Sequence, residues 1–167
     1  MSWQLPAFKK LRSFLPRPAP ASPHLALGAR GERLALEHLK QQGYRIAATN
    51  FTAPIGYGLS GRAITGEIDL IAYDESTPIP TLTFIEVKTR TNVVVAAPEA
   101  SVNLRKQRQI TRAARVYRRL LRLEAEPYRY DVVSVLVTPY GAVEITVLRD
   151  YFTEERFRRS AWWSHKI

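Results

Sequence analysis

The chain contains no cysteine. Disulfides, thiolate zinc sites and cysteine nucleophiles are thereby excluded. Histidine is scarce: His24, His38 and His165 lie far apart and show no metal-ligand spacing. His38 falls in a predicted helix, where packing or solvent accounts for it. No apolar run approaches the roughly 18 residues that a membrane span needs, and the N-terminus lacks the continuous apolar core of a signal peptide. The expected location is the cytoplasm, with no integral membrane segment. Phosphate-cradling loops are missing too, because Gly56, Gly58 and Gly61 have neither the GxGxxG spacing before a helix nor a Walker sequence. Acidic residues are in deficit: 15 Asp and Glu stand against 25 Lys and Arg, a net charge of +10. Such a surface favours polyanions, nucleic acid first and an anionic membrane surface second. Arg outnumbers Lys, and Arg is the better bidentate phosphate ligand.

A length of 167 residues with 46% hydrophobic and 24% charged content fits one globular domain with a sizeable core. Residues 1–24 carry Pro6, Pro16, Pro18, Pro20 and Pro23, and read as a flexible basic arm. Trp3, Phe8, Leu11 and Leu15 can also line one side of a short helix with Lys9, Lys10 and Arg12 opposite, a pattern suited to a membrane surface or partner groove. The folded domain is expected over 25–150, and a helical tail over 151–167, with Trp162 and Trp163 packing back on it. From Leu25 to Gly43 the period is helical, with Gly43 as the C-terminal cap. Glu32 shares the apolar stripe of Ala35, Leu36 and Leu39, so its carboxylate is expected to point inward, either to an ion pair with an Arg or to a site. "YRIAATNF" predicts a first strand, followed by a flexible glycine-rich loop from Thr52 to Ala63.

"ITGEIDLIAYDESTPIPTLTFIEVKTR", residues 64–90, reads as two apolar strands around a turn. Each strand nonetheless carries charge in its middle: Glu67 and Asp69, then Glu86 and Lys88. A turn centred between Thr77 and Pro78 sets Asp69 across from Glu86 and Glu67 across from Lys88, all four on one face, with opposed Cβ atoms about 4.5–5.5 Å apart. Two carboxylates at that separation repel each other. Cross-strand ion pairs, Glu67 with Lys88 and Asp69 with Arg90 or Lys106, are one resolution. The other is a divalent cation: Mg²⁺ is usually held by one or two carboxylates and keeps several waters, and Asp69, Glu86 and the Val87 carbonyl fit that demand. Lys88 then faces the attacking water or the phosphoryl oxygens.

Glu99 to about Leu123 predicts a long helix after Pro98. Arg105, Arg108, Arg112, Arg115, Arg119 and Arg122 recur along one side, opposite an apolar side of Val102, Ile110, Ala113, Tyr117, Leu120 and Leu121. A row of guanidinium groups suits a phosphate backbone. Lys106 falls near the inner side, within reach of the charged hairpin. "YRYDVVSVLV" and "AVEITVLRD" predict two final strands around "TPYG".

An inward Glu on a helix, an acid on a strand and E-x-K on the next strand resemble the PD-(D/E)XK restriction-endonuclease-like superfamily, which includes archaeal Holliday-junction resolvases. "GERLALEHLKQQGYRIAATNF", "GEIDLIAYD", "FIEVKTR", the helix bearing Lys106 and "YRYDVVSV" resemble more closely the YraN-type family of small bacterial proteins regarded as endonucleases. The resemblance implies an α/β restriction-endonuclease-like core: helix, three-stranded antiparallel meander, long helix, and further strands completing a mixed sheet. It implies hydrolysis of DNA, structured or branched, with Mg²⁺ or Mn²⁺ as cofactor. Asp69, Glu86 and Lys88 match the catalytic acid, acid and lysine, Glu32 the additional helix-borne acid and metal ligand, and Glu67 a supporting residue that positions Lys88. Lys106 is a further supporting residue, and Arg90 joins the helix arginines as a nucleic-acid contact. A homodimer follows by analogy with resolvases. Ile68 stands where the superfamily's name has proline, and the segment 52–64 exceeds the family's usual link. Two other classes compete: a nucleic-acid-binding module that keeps the fold without cutting, and a basic membrane-surface or scaffold protein.

Overall fold

The computed structural model describes residues 23–91, 102–138 and 140–158. It is an α/β fold: a five-stranded mixed sheet in the order β1-β2-β3-β4-β5, with a helix on each face. Helix α1 (Pro23–Gln41) leads into the antiparallel meander of β1 (Tyr44–Tyr57), β2 (Ala63–Asp74) and β3 (Thr81–Arg90). Helix α2 (Leu104–Leu120) then carries the chain to β4 (Tyr128–Val137), which runs parallel to β3; β5 (Val143–Phe152) returns antiparallel, and a single turn, α3 (Glu155–Arg158), follows. Parallel neighbours need a crossover, and α2 supplies it.

Alternation along β3 explains the layers. Leu82 and Phe84 pack with Ile110, Ala113, Ala114 and Tyr117 of α2, whereas Ile85 and Val87 pack with Ala35 and Leu39 of α1. Burial on both faces makes β3 the central strand, and every residue from Leu82 to Val87 is buried, the polar Thr83 and Glu86 included. Gly43, at φ 84°, closes α1 as expected, and its amide donates to the Lys40 carbonyl at 3.3 Å.

Two glycines permit close approach of helix to sheet. A Cβ on Gly31 of α1 would lie 2.8 Å from the Cβ of Thr89 on β3. One on Gly66 of β2 would lie 2.9 Å from the Gln109 carbonyl of α2, which is backbone and cannot yield. Gly31→Ala is therefore expected to destabilise the fold by about 1–3 kcal/mol despite alanine's higher helix propensity. Adding Thr89→Gly, which removes the opposing Cβ, should recover part of that loss; melting curves showing simply additive losses would rule out this contact as the cause.

Three expectations need correction. The segment 52–63 is not a flexible loop: β1 continues to Tyr57 and pairs with β2 as far as Tyr57 opposite Ala63. The tip is held by Gly58 N donating to Arg62 O at 2.8 Å, and it exposes Tyr57 and Leu59. Helix α2 starts at Leu104 rather than Glu99, because the Asn103 side chain accepts from Lys106 N at 2.9 Å and caps it. It ends at Leu120, which is exposed rather than buried, with Arg122 in the left-handed region at φ 57°. The third concerns the tail: β5 runs through the expected boundary at 150, and Phe152 is buried, stacked on Tyr130 at 4.7 Å. The arm 1–22, Pro98, Glu99, Trp162 and Trp163 lie outside the described residues. Among the described residues, no helix is long and apolar enough to cross a membrane.

A polar cluster lies at the end of β2 remote from Glu67. Asp74 and Asp131 are fully buried, and Arg129 bridges them, its Nη2 donating to Asp74 Oδ2 at 2.6 Å and its Nε to Asp131 Oδ1 at 2.9 Å. Nothing in the local pattern of β4 announces this pairing.

Candidate active site in the fork between two strands

The expected register holds from Leu70 opposite Ile85 to Asp74 opposite Thr81, and stops there. Before Leu70, β2 stays paired with β1; beyond Ile85, β3 stays paired with β4. The strands fork at the charged residues. Asp69 and Glu86 are thus not a ladder pair, nor are Glu67 and Lys88. Alternation also breaks in β2, since Ile68 and Ile71 both enter the α2-side core while Leu70 and Ala72 enter the other. Ile68 is fully buried.

In the fork, Asp69 Oδ2 accepts from Val87 N at 2.7 Å. A residue's N–H and C=O leave an extended strand on the same side, so the Val87 carbonyl opens into the fork as well. Glu86, only 2% exposed, takes Lys88 Nζ on Oε1 at 2.7 Å and has Lys106 Nζ 3.0 Å from Oε2. That second contact is close enough for an ion pair but too poorly aligned for a hydrogen bond, leaving Oε2 buried without one. Lys106 also donates to the Glu67 carbonyl at 3.4 Å.

The electrostatics reflect crowded carboxylates. Burial, then the Glu86 charge, pushes Asp69 up to about 7, against the lowering effect of the Val87 amide and Lys106. Glu32 is half-buried and likewise raised, first by burial and then by Glu67 and Glu86; an Asn50 side-chain hydrogen bond opposes this. Gly31 has a role here, since it lets α1 approach β3 next to Lys88 and Glu86. Asn50, at φ 50° on β1, was not singled out by sequence reasoning. Asn tolerates this conformation, but no motif marks it.

Glu67 is exposed, and Lys88 pairs with Glu86, so the expected positioning of Lys88 by Glu67 is replaced by positioning through Glu86. Among the described residues no three Asp, Glu or His side chains form a metal cage. A hard divalent cation still fits the donor set: Asp69 and Glu86 supply carboxylates, Val87 a carbonyl, and Glu86 Oε2 is a buried acceptor without a hydrogen bond.

The arginine row divides. Arg115 Nη2 is bonded to the buried Glu154 at 2.6 Å, and Glu154 also accepts from Tyr130 Oη at 2.6 Å. Arg108 lies over the Phe157 ring, 5.5 Å from its centroid, and Arg122 lies past the helix end. Arg105, Arg112 and Arg119 are exposed on α2, and Arg90 is half-buried at the end of β3.

Residues 31–135 match the family described as "Uncharacterised protein family UPF0102". A UPF0102 protein of Geotalea uraniireducens is 38% identical over 76% of this chain and 89% of its own length. One from Porphyromonas gingivalis is 39% identical over 71% and 77%, and one from Chlorobium limicola 38% over 84% and 94%. The solved structure of SSO0001 shares 15% identity with a TM-score of 0.35, over 85% of this chain and 59% of that one, a slight likeness. The family match runs from within α1, through the fork, to within β4, so every residue of the site falls inside it, and the chain belongs to the UPF0102 family.

Proposed function

We propose that the protein is a metal-dependent endonuclease that hydrolyses phosphodiester bonds in DNA, with structured or branched DNA as the substrate class that the superfamily resemblance implies. The observation that carries this reading is the fork itself: a buried carboxylate, Glu86, lies close enough to the half-buried carboxylate of Asp69 for the two to repel, and Lys88 is bonded to Glu86. Burying such a pair is costly without a cation or substrate to stabilise it.

Asp69, Glu86 and the Val87 carbonyl would hold Mg²⁺ or Mn²⁺. When bound, such an ion polarises a phosphoryl oxygen and makes a coordinated water more acidic. The chain's own groups do the rest. Lys88, held by Glu86, presents its ammonium to the attacking water or to charge developing on the phosphate. Glu32, raised above its ordinary value chiefly by burial, is a better proton acceptor than a free carboxylate. Arg105, Arg112 and Arg119 offer exposed positive charge for the phosphate backbone, giving affinity without sequence reading.

The test is cleavage of labelled four-way-junction, flapped, single-stranded and linear duplex DNA with Mg²⁺, Mn²⁺ or EDTA. Metal-dependent cutting of at least one substrate is expected. Salt-sensitive binding with no cutting of any would replace this reading with a binding module.

A further inference from the structure

Lys106 is the site group contributed by α2. Its backbone is fixed by the Asn103 cap, and its ammonium lies 3.0 Å from Glu86 Oε2 on β3 and 3.4 Å from the Glu67 carbonyl on β2. It thus spans both prongs of the fork, against one carboxylate oxygen and one carbonyl oxygen. Hard oxygens of this kind are what a divalent cation takes. The two lysines on Glu86 are not equivalent. Lys88 forms an aligned hydrogen bond to Oε1, whereas Lys106 supplies charge to Oε2 without one. The same ammonium acts electrostatically on Asp69 and Glu32, so it is a counter-ion to the whole acidic cluster.

We infer that Lys106 is a built-in occupant of the cation position, and that a divalent cation must displace it from Glu86 Oε2 in order to bind. This rests on the metal-site reading above and adds a regulatory residue to it. A unit positive charge and a divalent ion cannot share one buried carboxylate oxygen without strong repulsion. The lysine side chain is a flexible four-carbon stem, and its side chain is 26% exposed, so it can leave toward solvent without disturbing α2. On leaving, it would enter solvent on the helix that also exposes Arg105 and Arg112, and a phosphate bound by the displaced ammonium would stabilise that position. Binding free energies are reciprocal, so a polyanion that draws Lys106 outward favours cation loading, and the cation favours the polyanion. Lys106 in this account sets affinity; it is a positioning residue.

The experiment is calorimetric titration of the metal-free full-length protein with Mn²⁺ alone, in the wild type, Lys106→Met, Lys106→Arg, Lys88→Met and Glu86→Gln. Removing the resident charge in Lys106→Met should tighten Mn²⁺ binding at least about tenfold. Lys106→Arg, which keeps the charge, should stay close to the wild type, and Lys88→Met should change affinity less than Lys106→Met. Glu86→Gln should abolish binding. Circular dichroism of each variant checks its fold, and Lys106→Arg against the wild type carries the test should Lys106→Met unfold: a tenfold or greater gain in Lys106→Arg would overturn the idea. Unchanged or weaker Mn²⁺ binding in a folded Lys106→Met, in a protein that still cuts DNA with Mn²⁺, sinks this inference alone. Absence of both Mn²⁺ binding and cutting in every chain sinks the nuclease reading with it.

Discussion

Arg129→Met is expected to lower the unfolding free energy by about 3–5 kcal/mol, because it strands two fully buried carboxylates, Asp74 and Asp131. The guanidinium, 15% exposed, also donates to the Tyr44 hydroxyl at 3.0 Å, so a third polar atom loses a donor. Some compensation remains. Ser76 donates to Asp74 through its amide at 3.0 Å, Asp150 N donates to Asp131 at 2.9 Å, and Arg149 stands 3.7 Å from Asp74. These partners place the expected loss toward the lower end of the range. Replacing both acids by Asn in the same chain should recover much of it, since breaking a buried pair costs more than removing it whole.

The pH dependence has a definite sign. Burial acts to raise the Asp74 carboxyl, but the Ser76 and Arg129 hydrogen bonds outweigh it and hold the group at about 2. A carboxylate depressed in the folded state stabilises above its unfolded value of about 3.9, and that stabilisation is lost as pH falls toward 2. Wild-type stability should therefore drop through that window, and Arg129→Met should drop less. Burial holds Asp131 above its ordinary value, which offsets part of the effect at neutral pH. Urea unfolding at several pH values measures all of this; parallel curves for the two chains would show that Arg129 is not what holds Asp74 ionised.

Asp69→Asn is expected to reduce metal-dependent cleavage by about 10³-fold or more while stabilising the metal-free fold at alkaline pH. Asn keeps an oxygen for the Val87 amide, so the fork retains its shape. What disappears is a negative charge beside Glu86. In the wild type the folded-state value near 7, raised first by burial, means that folding prefers the protonated acid. The resulting penalty is absent below about pH 4, grows as pH rises to 7, and stays constant above it. The variant should accordingly melt higher than the wild type at pH 8 without divalent ions, and close to it at pH 4. Undiminished cleavage would remove Asp69 from the reaction. A melting temperature that fails to rise at pH 8 would contradict the crowded-carboxylate account of the site.

Local pattern carried much of the architecture. The helical stripe of Ala35, Leu36 and Leu39, the apolar β-branched run in "VVSVLV" and the Gly43 cap all act between residues a few positions apart, and the observed elements follow them. The register of the charged hairpin was equally legible, because turn position and apolar alternation leave one consistent pairing from Leu70 to Asp74. The long β1–β2 hairpin was not. Its tip is rich in glycine, which reads as flexibility, and only pairing along the whole length of two strands makes it ordered.

The sequence by itself determined which charged residues stand in the interior of two strands, on which helix Glu32 and Lys106 sit, and that the chain carries excess positive charge. Tertiary structure alone decided that the strands part at Asp69 and Glu86, that Lys88 and Lys106 share Glu86, that Asn50 meets Glu32, and that Arg129 serves two aspartates. The reason is separation along the chain. Lys106 meets the Glu67 carbonyl across 39 residues and Arg129 meets Asp74 across 55, distances at which no periodic signal survives. Partner choice there is settled by which side chains packing brings within about 3 Å, and by the cost of leaving a buried charge without one.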